Sequence, residues 1–161
     1  MTAGKSPPNS PPSTSAQRNT TGKSPAGKNT QLSLDEIRHG VAGVLGILKT
    51  WAISDQQVMA MLGARSLDEL KRWVNGEARS YPGDLPHRIG LISGIHTRLR
   101  QTYLDQRQIL AWLSSPSANF ENKRPIDVMA GGNLIGLMMV RDQLKGAERD
   151  VPRRPDGRPL R

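Results

Sequence analysis

Residues 112–129 read WLSSPSANFENKRPIDVM, and they contain the end of one helix, a loop and the start of the next helix. A helix over residues 106–113 is predicted to stop before Pro116, because proline disfavours helical geometry in the residue that precedes it. The next helix is predicted to begin at Pro125, whose fixed φ suits a first helical turn. Phe120 is the only Phe of the chain, and we expect it to fold inward as a plug, since a large apolar ring gains from burial. The stretch therefore predicts two helices joined by a loop that is closed by a buried aromatic ring.

A set of residues in and around this stretch is distinctive in both composition and spacing. They are Trp112-Leu113, Pro116-Ser117, Phe120, Arg124–Met129, Gly131-Gly132, Val140-Arg141 and Leu144, with Arg88–Leu91 and Ile95-His96 further back. Together they resemble the toxin-binding domain of the Xre/MbcA/ParS antitoxins, the partners of RES-domain toxins. The family often has Asn where this chain has Ser117, and Gly where it has Asn122 or Lys123. The resemblance covers most of residues 32–146.

The resemblance implies an antitoxin of a bacterial type II toxin–antitoxin pair, which neutralises a RES-domain toxin that consumes NAD or transfers ADP-ribose from it. Residues 108–145 would dock the toxin, and the tail that follows would obstruct its NAD pocket. The residues assigned to toxin binding are Trp112, Phe120, Asn122, Lys123, Arg124 and Met138, together with the tail residues Arg153, Arg154, Arg158 and Arg161. For Trp112, a place in the hydrophobic core is the alternative. The arginines suit a pocket built for a pyrophosphate-bearing substrate, where polar or carboxylate groups could accept from guanidinium.

Composition limits the classes of protein that the chain can be. The 161 residues allow one domain, or two small ones that share a core. There is no Cys, which excludes disulfides and fits a reducing cytoplasm. No apolar run reaches the roughly 18 residues that span a bilayer, and the N-terminus lacks the apolar region of a secretory signal. Apolar residues at helical spacing predict an all-α protein, a compact bundle of about seven helices.

Changes in composition divide the chain into four segments. Residues 1–31 are Ser, Pro, Thr, Asn, Gly and Lys with almost nothing to bury, and we expect them to be disordered. Residues 32–103 are predicted to form a helix-turn-helix domain of Xre type, and residues 104–146 a toxin-binding helical domain. Residues 147–161 are rich in Arg and Pro and are predicted to be extended. Most of the net charge of +9 lies on the two tails.

Two short helices, 55–62 and 67–75, have the length and the Gly-containing break of a helix-turn-helix. Capping boxes, in which a Ser and a residue three positions on satisfy each other's amides, are predicted at Ser54–Gln57 and Ser66–Glu69. The stretch resembles the Xre-type unit at Gln57, Ala60, Leu62-Gly63, Arg72-Trp73 and Gly76.

If the second of these helices enters a major groove, its exposed basic and polar side chains would meet DNA. Those residues are Arg65, Ser66, Lys71 and Arg72. Asp68 and Glu69 argue against that role, because their negative charges would lie close to the DNA phosphates and repel them. The resemblance implies that the chain, as a homodimer or in a hetero-oligomer with the toxin, binds its own operator and represses it.

The first helix, about 34–49, carries Gly40, Gly43 and Gly46 at three-residue spacing. Each costs roughly 1 kcal/mol relative to Ala in a helix interior, which indicates the close approach of another helix. We expect that helix to lie within the monomer, and a dimer contact is the alternative. Helix four is predicted over 85–102, and Asp105 is predicted to cap helix five.

No motif in the sequence indicates catalysis, a metal or a cofactor. The three His residues lack metal-ligand spacing, and motifs such as HExxH are absent. The protein is therefore predicted not to be an enzyme, and His96 is expected to cap or pack within its helix. Two alternatives to the antitoxin stay open: a free-standing Xre-type transcriptional regulator, and an interaction module with a degenerate helix-turn-helix.

Overall fold

The computed structural model describes residues 32–150, with side chains up to Lys145. In this part of the chain the backbone forms seven α-helices and one short 3₁₀ turn. They are α1 (Leu34–Thr50), α2 (Asp55–Leu62), α3 (Leu67–Asn75), α4 (Leu85–Thr102), α5 (Gln106–Ser114), the 3₁₀ turn (Ala118–Phe120), α6 (Pro125–Met129) and α7 (Leu134–Asp150). The predicted all-α fold with seven helices is confirmed. None of the described helices combines the length and the apolar composition that crossing a membrane requires.

One helix end differs from its prediction. Residues 147–150 continue α7 as far as Asp150, whereas the sequence analysis expected extended chain from Ala147. The physical reason is that this part of the chain has no proline before Pro152, and the single Gly146 weakens a helix by only about 1 kcal/mol, so α7 continues past Ala147. Residues 1–31 and 151–161, with the structure predicted for them, lie outside the described residues.

Side-chain caps begin most of the helices. The predicted capping box at Ser54 is confirmed, since the Gln57 amide donates to Ser54 Oγ at 3.3 Å and the Ser54 amide donates to Gln57 Oε1 at 3.0 Å. Asp105 caps α5 as predicted, accepting from the Gln108 amide at 2.9 Å. A further capping box, which the sequence analysis missed, starts α1 at Ser33. Local hydrogen bonds therefore account for these helix starts.

The capping box predicted at Ser66 is only half formed. Ser66 Oγ accepts from the Glu69 amide at 3.1 Å, as predicted. The Glu69 carboxylate, however, accepts from the Arg65 amide at 2.7 Å instead of the Ser66 amide. Ser66 has φ −155°, whereas the N-caps of α1 and α2 have −66° and −73°, so its own amide points in a different direction.

Helix α4 lies at the centre of the fold. It packs most extensively against α7 and also contacts α1 and α2. The buried residues it contributes recur at helical spacing and meet a similar stripe on α7. They are Leu85, Ile92, Ile95 and Leu99 on α4, and Leu137, Val140 and Leu144 on α7. The two predicted segments, 32–103 and 104–146, therefore share one hydrophobic core.

A buried arginine joins three parts of the chain. Arg88 on α4 is only 6% exposed. Its guanidinium donates to Asp84 Oδ2 at 2.8 Å, to the carbonyls of Ala60 and Met61 at 3.2 and 3.1 Å, and to the carbonyl of Gly132 at 3.0 Å. The carbonyls of Ala60 and Met61 belong to the last turn of α2. Carbonyls in the last turn of a helix have no hydrogen-bond donor within that helix. Arg88 therefore holds the end of α2 and the chain before α7 against α4.

The glycines of α1 differ in what surrounds them. A Cβ on Gly40 would lie 3.2 Å from the Ile89 side chain of α4, so the expected close approach within the monomer is confirmed there. Gly43 and Gly46 have nothing within 4 Å of an added Cβ. The three-residue spacing therefore reflects one packing contact and two open positions.

The stability of the fold should depend strongly on Arg88. We expect Arg88→Ala to lower the free energy of unfolding by about 2–4 kcal/mol, because three carbonyls and a carboxylate lose their buried partner. Urea denaturation of the full chain measures this loss. Arg107→Ala is the control, since its side chain is 94% exposed and we expect a change within about 0.5 kcal/mol. Equal effects of the two substitutions would contradict the role given to Arg88.

Candidate protein-binding site

The loop between α5 and α6 is closed by its own backbone. The Ser117 amide donates to the Lys123 carbonyl at 3.1 Å, and the Asn122 amide donates back to the Ser117 carbonyl at 3.0 Å. Phe120 lies inside this closure and is 4% exposed, which confirms the predicted plug. The loop is thus fixed at its base by hydrogen bonds and at its centre by a buried ring.

Two consecutive residues of this loop adopt a strained backbone conformation. Glu121 has φ 55° and Asn122 has φ 61°, in the left-handed region that residues other than glycine rarely adopt. Such residues cost on the order of 1 kcal/mol each and persist where the surrounding structure holds them. The hydrogen bonds at Ser117 and the buried Phe120 do so here. The result is a hydrogen-bonded turn on which the side chains of Glu121, Asn122 and Lys123 are exposed.

Helices α6 and α7 approach each other more closely than a side chain would permit. A Cβ on Gly136 would clash with the carbonyl oxygen of Val128 on α6. The amide of Gly136 donates to Asn133 Oδ1 at 2.9 Å, which caps the start of α7. Glycine at 136 therefore sets the distance between the two helices.

A groove of about 520 Å³ lies between the loop, α6 and α7. Its lining combines polar loop residues with apolar residues of the helices. They are Asn119, Phe120, Glu121, Lys123, Asp127, Val128, Gly131, Asn133, Ile135, Gly136 and Met139. We call this feature the C-terminal groove.

Three large apolar side chains of α7 are left exposed beside the C-terminal groove. Ile135 is 66% exposed, Met138 43% and Met139 46%. Their positions i, i+3 and i+4 place them on one side of the helix, which we call the α7 apolar face. Met138 and Met139 are adjacent in the sequence, and both are half exposed. Exposed apolar side chains grouped in this way are typical of a protein-binding surface.

Sequence reasoning missed Ile135, although a signal for it was present. Leu137, Val140 and Leu144 form the buried stripe of α7. An apolar residue outside that stripe has no place in the core and must be exposed.

The structure brings together part of the predicted toxin-binding set. Phe120 and Lys123 line the C-terminal groove, and Met138 belongs to the α7 apolar face. Phe120 is too deeply buried to project toward a partner, so it forms part of the groove floor. The exposed Arg124 is engaged by Asp127, with distances of 2.5 and 2.8 Å from its guanidinium nitrogens to the carboxylate oxygens.

The remaining members of the set lie elsewhere. Trp112 is half buried and packs against Tyr103, with ring centroids 6.3 Å apart, so much of its ring belongs to the edge of the core. The tail residues Arg153, Arg154, Arg158 and Arg161 lie outside the described residues.

The residues predicted to bind DNA lie on different sides of α3. Lys71 is 3.6 Å from Asp68 and lines an apolar groove. Arg72 borders a separate polar depression together with Glu69. The Ser66 hydroxyl is used in the helix cap. Arg65 is exposed just before α3.

The described residues contain no cluster of His, Asp or Glu that could hold a metal ion. His96 packs against Trp51, with ring centroids 6.3 Å apart, as expected of a histidine that packs within the fold. Burial, together with the positive charge of Arg100, lowers the pKa of His96 below its usual value.

Comparison with known families matches one segment of the chain. Residues 98–148 match the family model described as the antitoxin Xre/MbcA/ParS C-terminal toxin-binding domain. The match covers about a third of the chain and includes the C-terminal groove and the α7 apolar face. Comparisons with curated proteins and with solved structures find no match. The resemblance seen in the sequence is confirmed over residues 98–148, and its extension to residues 32–97 stays a prediction.

Gly→Ala substitutions at two positions should separate two effects on stability, the clash of an added Cβ with a neighbouring helix and the gain in helix propensity. We expect Gly136→Ala to lower the free energy of unfolding by about 2–3 kcal/mol, because its Cβ would meet backbone instead of a movable side chain. Gly94→Ala is the matched control, since it lies within α4 with nothing inside 4 Å, and we expect it to raise stability by up to about 1 kcal/mol. Thermal and urea denaturation measure both. A neutral Gly136→Ala would refute the close approach of α6 and α7.

Proposed function

We propose that this chain, whose residues 98–148 match an antitoxin toxin-binding domain, is the antitoxin of a type II toxin–antitoxin pair. In this proposal it acts without catalysis and neutralises a RES-domain toxin by covering the toxin's active site. The observation that carries the proposal is that the exposed apolar side chains of α7 lie inside the segment that matches a toxin-binding domain. A toxin that consumes NAD, or transfers ADP-ribose from it, follows from the sequence resemblance to partners of RES-domain toxins.

The α7 apolar face and the C-terminal groove suit the docking of another protein. Met138 and Met139 have flexible, polarizable side chains that fit irregular partner surfaces. Beside them, the turn at Glu121 and Asn122 is held by the hydrogen bonds at Ser117 and by the buried Phe120. A loop that is already held in one conformation loses less conformational entropy on binding, which favours affinity. We therefore assign toxin docking to the α7 apolar face and to the exposed side of the turn, with Phe120 as support beneath.

The tail that follows α7 is the second part of the proposed contact. Arg153 and Arg154 come soon after the last residue of α7 in the chain, and Arg158 and Arg161 follow. Guanidinium groups form strong, charge-assisted hydrogen bonds with carboxylates. The proposed role of these arginines is to enter the NAD pocket of the toxin while α7 holds the tail nearby.

DNA binding by α2 and α3 is the second function that we propose. Gly63, with φ 75°, ends α2 and provides the turn to α3, as in a helix-turn-helix. Arg65 is exposed just before the start of α3, and Arg72 is exposed along the side of that helix. The acidic Asp68 and Glu69 are both engaged, Asp68 with Lys71 and Glu69 with the Arg65 amide. The ammonium group of Lys71 offsets the charge of Asp68, and the Glu69 carboxylate is turned toward the backbone at Arg65. Repression of the protein's own operator therefore stays part of the proposal.

Replacing an exposed side chain of the α7 apolar face by a charge should weaken toxin binding. We expect Met139→Asp and Ile135→Asp each to reduce the affinity by about tenfold to a hundredfold, because burial of one large apolar side chain contributes about that much. Co-expression with the product of the adjacent open reading frame, affinity capture and the cellular NAD level measure the effect. Leu34→Asp is the control, because Leu34 is also exposed but lies outside the matched segment. Full capture by both α7 variants would refute the assignment.

Reversing charge beside α3 should remove DNA binding and spare toxin binding. Arg65→Glu combined with Arg72→Glu should abolish retention of promoter DNA in a gel-shift assay. For the unaltered protein, affinity should fall about 10³-fold between low and moderate salt if about six phosphates are contacted. Arg107→Glu, an exposed reversal elsewhere, controls for net charge. If the double variant loses both DNA and toxin, the division between the two surfaces is wrong.

A further inference from the structure

The methionines of the described residues differ widely in exposure. Met61 and Met129 are 0% exposed, whereas Met138 is 43% exposed and Met139 46%. Met59 is partly buried against the core. The two thioether groups that solvent reaches most easily are therefore adjacent in the sequence, and both belong to the α7 apolar face.

Sulfur chemistry in this chain is confined to methionine. The sequence contains no Cys, so no thiol of the chain competes for an oxidant. Hydrogen peroxide oxidises a thioether by transferring one oxygen atom to the sulfur. The O–O bond breaks, an S=O bond forms, and the reduced peroxide leaves as water. The product, methionine sulfoxide, is polar, and methionine sulfoxide reductases return it to methionine.

Oxidation of Met138 and Met139 would leave the core of the fold unchanged. Leu137 and Val140, on either side of the pair in the sequence, are 0% exposed and belong to the buried stripe of α7. The exposed pair lies outside that stripe, so its sulfoxide oxygens can be hydrated in the free chain. A sulfoxide at one of the fully buried methionines would instead place an unsatisfied polar atom in the core. The consequence of oxidising the pair is therefore a change in the polarity of the α7 apolar face.

The reactivity of this face can be separated from its apolar character. Ile135, the third large side chain of the face, has no atom that peroxide oxidises. Leucine at positions 138 and 139 would keep a similar apolar volume and a similar helix propensity without a reactive sulfur. The two sulfur atoms alone therefore make the face sensitive to an oxidant.

We propose that Met138 and Met139 form an oxidation site that regulates the docking of a partner on the α7 apolar face. In the free chain, a peroxide converts the two exposed thioethers to sulfoxides. A sulfoxide oxygen that is pressed against an apolar partner surface loses its hydrogen bonds to water, so the oxidised chain docks weakly. A bound partner covers the sulfurs, so the modification acts before the complex forms. The regulatory consequence rests on the proposed toxin docking, whereas the selective oxidation does not.

Treatment of the full chain alone with dilute hydrogen peroxide tests the oxidation site. Peptide mass spectrometry should find Met138 and Met139 oxidised while Met61 and Met129 stay reduced, and circular dichroism should show an unchanged fold. In urea all four should be oxidised, because unfolding removes the protection by burial. An exposed pair that resists peroxide, or buried methionines that react equally fast in the folded chain, would overturn the proposal.

Affinity capture of the product of the adjacent open reading frame tests the regulation, with the peroxide removed before mixing. Oxidation should weaken binding by about tenfold to a hundredfold, and methionine sulfoxide reductase should restore it. Met138→Leu combined with Met139→Leu should bind equally well before and after peroxide. Met59→Leu, the matched control on α2, should stay sensitive.

Two results of the capture experiment would contradict the regulation. They are unchanged affinity of the oxidised chain, and loss of affinity by the oxidised double Leu variant. Failure of the reduced chain to bind would refute the proposed function and the regulation together. The oxidation site itself would then still be decided by the mass spectra of the free chain.

Discussion

The position of the C-terminal helices depends on the buried guanidinium of Arg88. A buried charge is tolerated only when its donors are satisfied, and here a carboxylate and three backbone carbonyls accept from it. Two of those carbonyls end α2, and the third, from Gly132, lies just before α7. One side chain therefore fixes the end of α2 and the start of the helix that carries the α7 apolar face. Movement of either part would leave buried polar groups without partners, so the two parts are coupled through α4.

Apart from Arg88, the candidate toxin-binding surface contains several features that each lower the stability of the fold when taken alone. Glu121 and Asn122 adopt left-handed backbone conformations, and Gly136 gives up helix propensity so that α7 can approach α6. Three large apolar side chains of α7 stay in solvent. The fold maintains these features through the buried Phe120 and the hydrogen bonds that close the loop. Their concentration within residues 98–148 agrees with the family match and supports a surface shaped for a partner.

The proposed functions use separate parts of one compact unit. Toxin docking is assigned to α7 and the loop before α6, and DNA contact is assigned to the side of α3 near Arg72. The core shared by α4 and α7 connects these two surfaces. A toxin docked on α7, as proposed, would therefore lie at a defined distance from the helices proposed to contact DNA.

Much of this fold could be predicted from the sequence, because it depends on local interactions. Ser54 and Asp105 capped their helices as predicted, Pro125 began α6, and Phe120 was buried, because caps, prolines and apolar spacing act over a few residues. The motif around Trp112–Met129 likewise indicated the family. Contacts between distant residues were not readable in this way. The backbone carbonyls that accept from Arg88, those of Ala60, Met61 and Gly132, lie 27 to 44 residues away in the sequence. Those contacts depend on how whole helices pack, and the residues next to Arg88 in the sequence carry no signal for them.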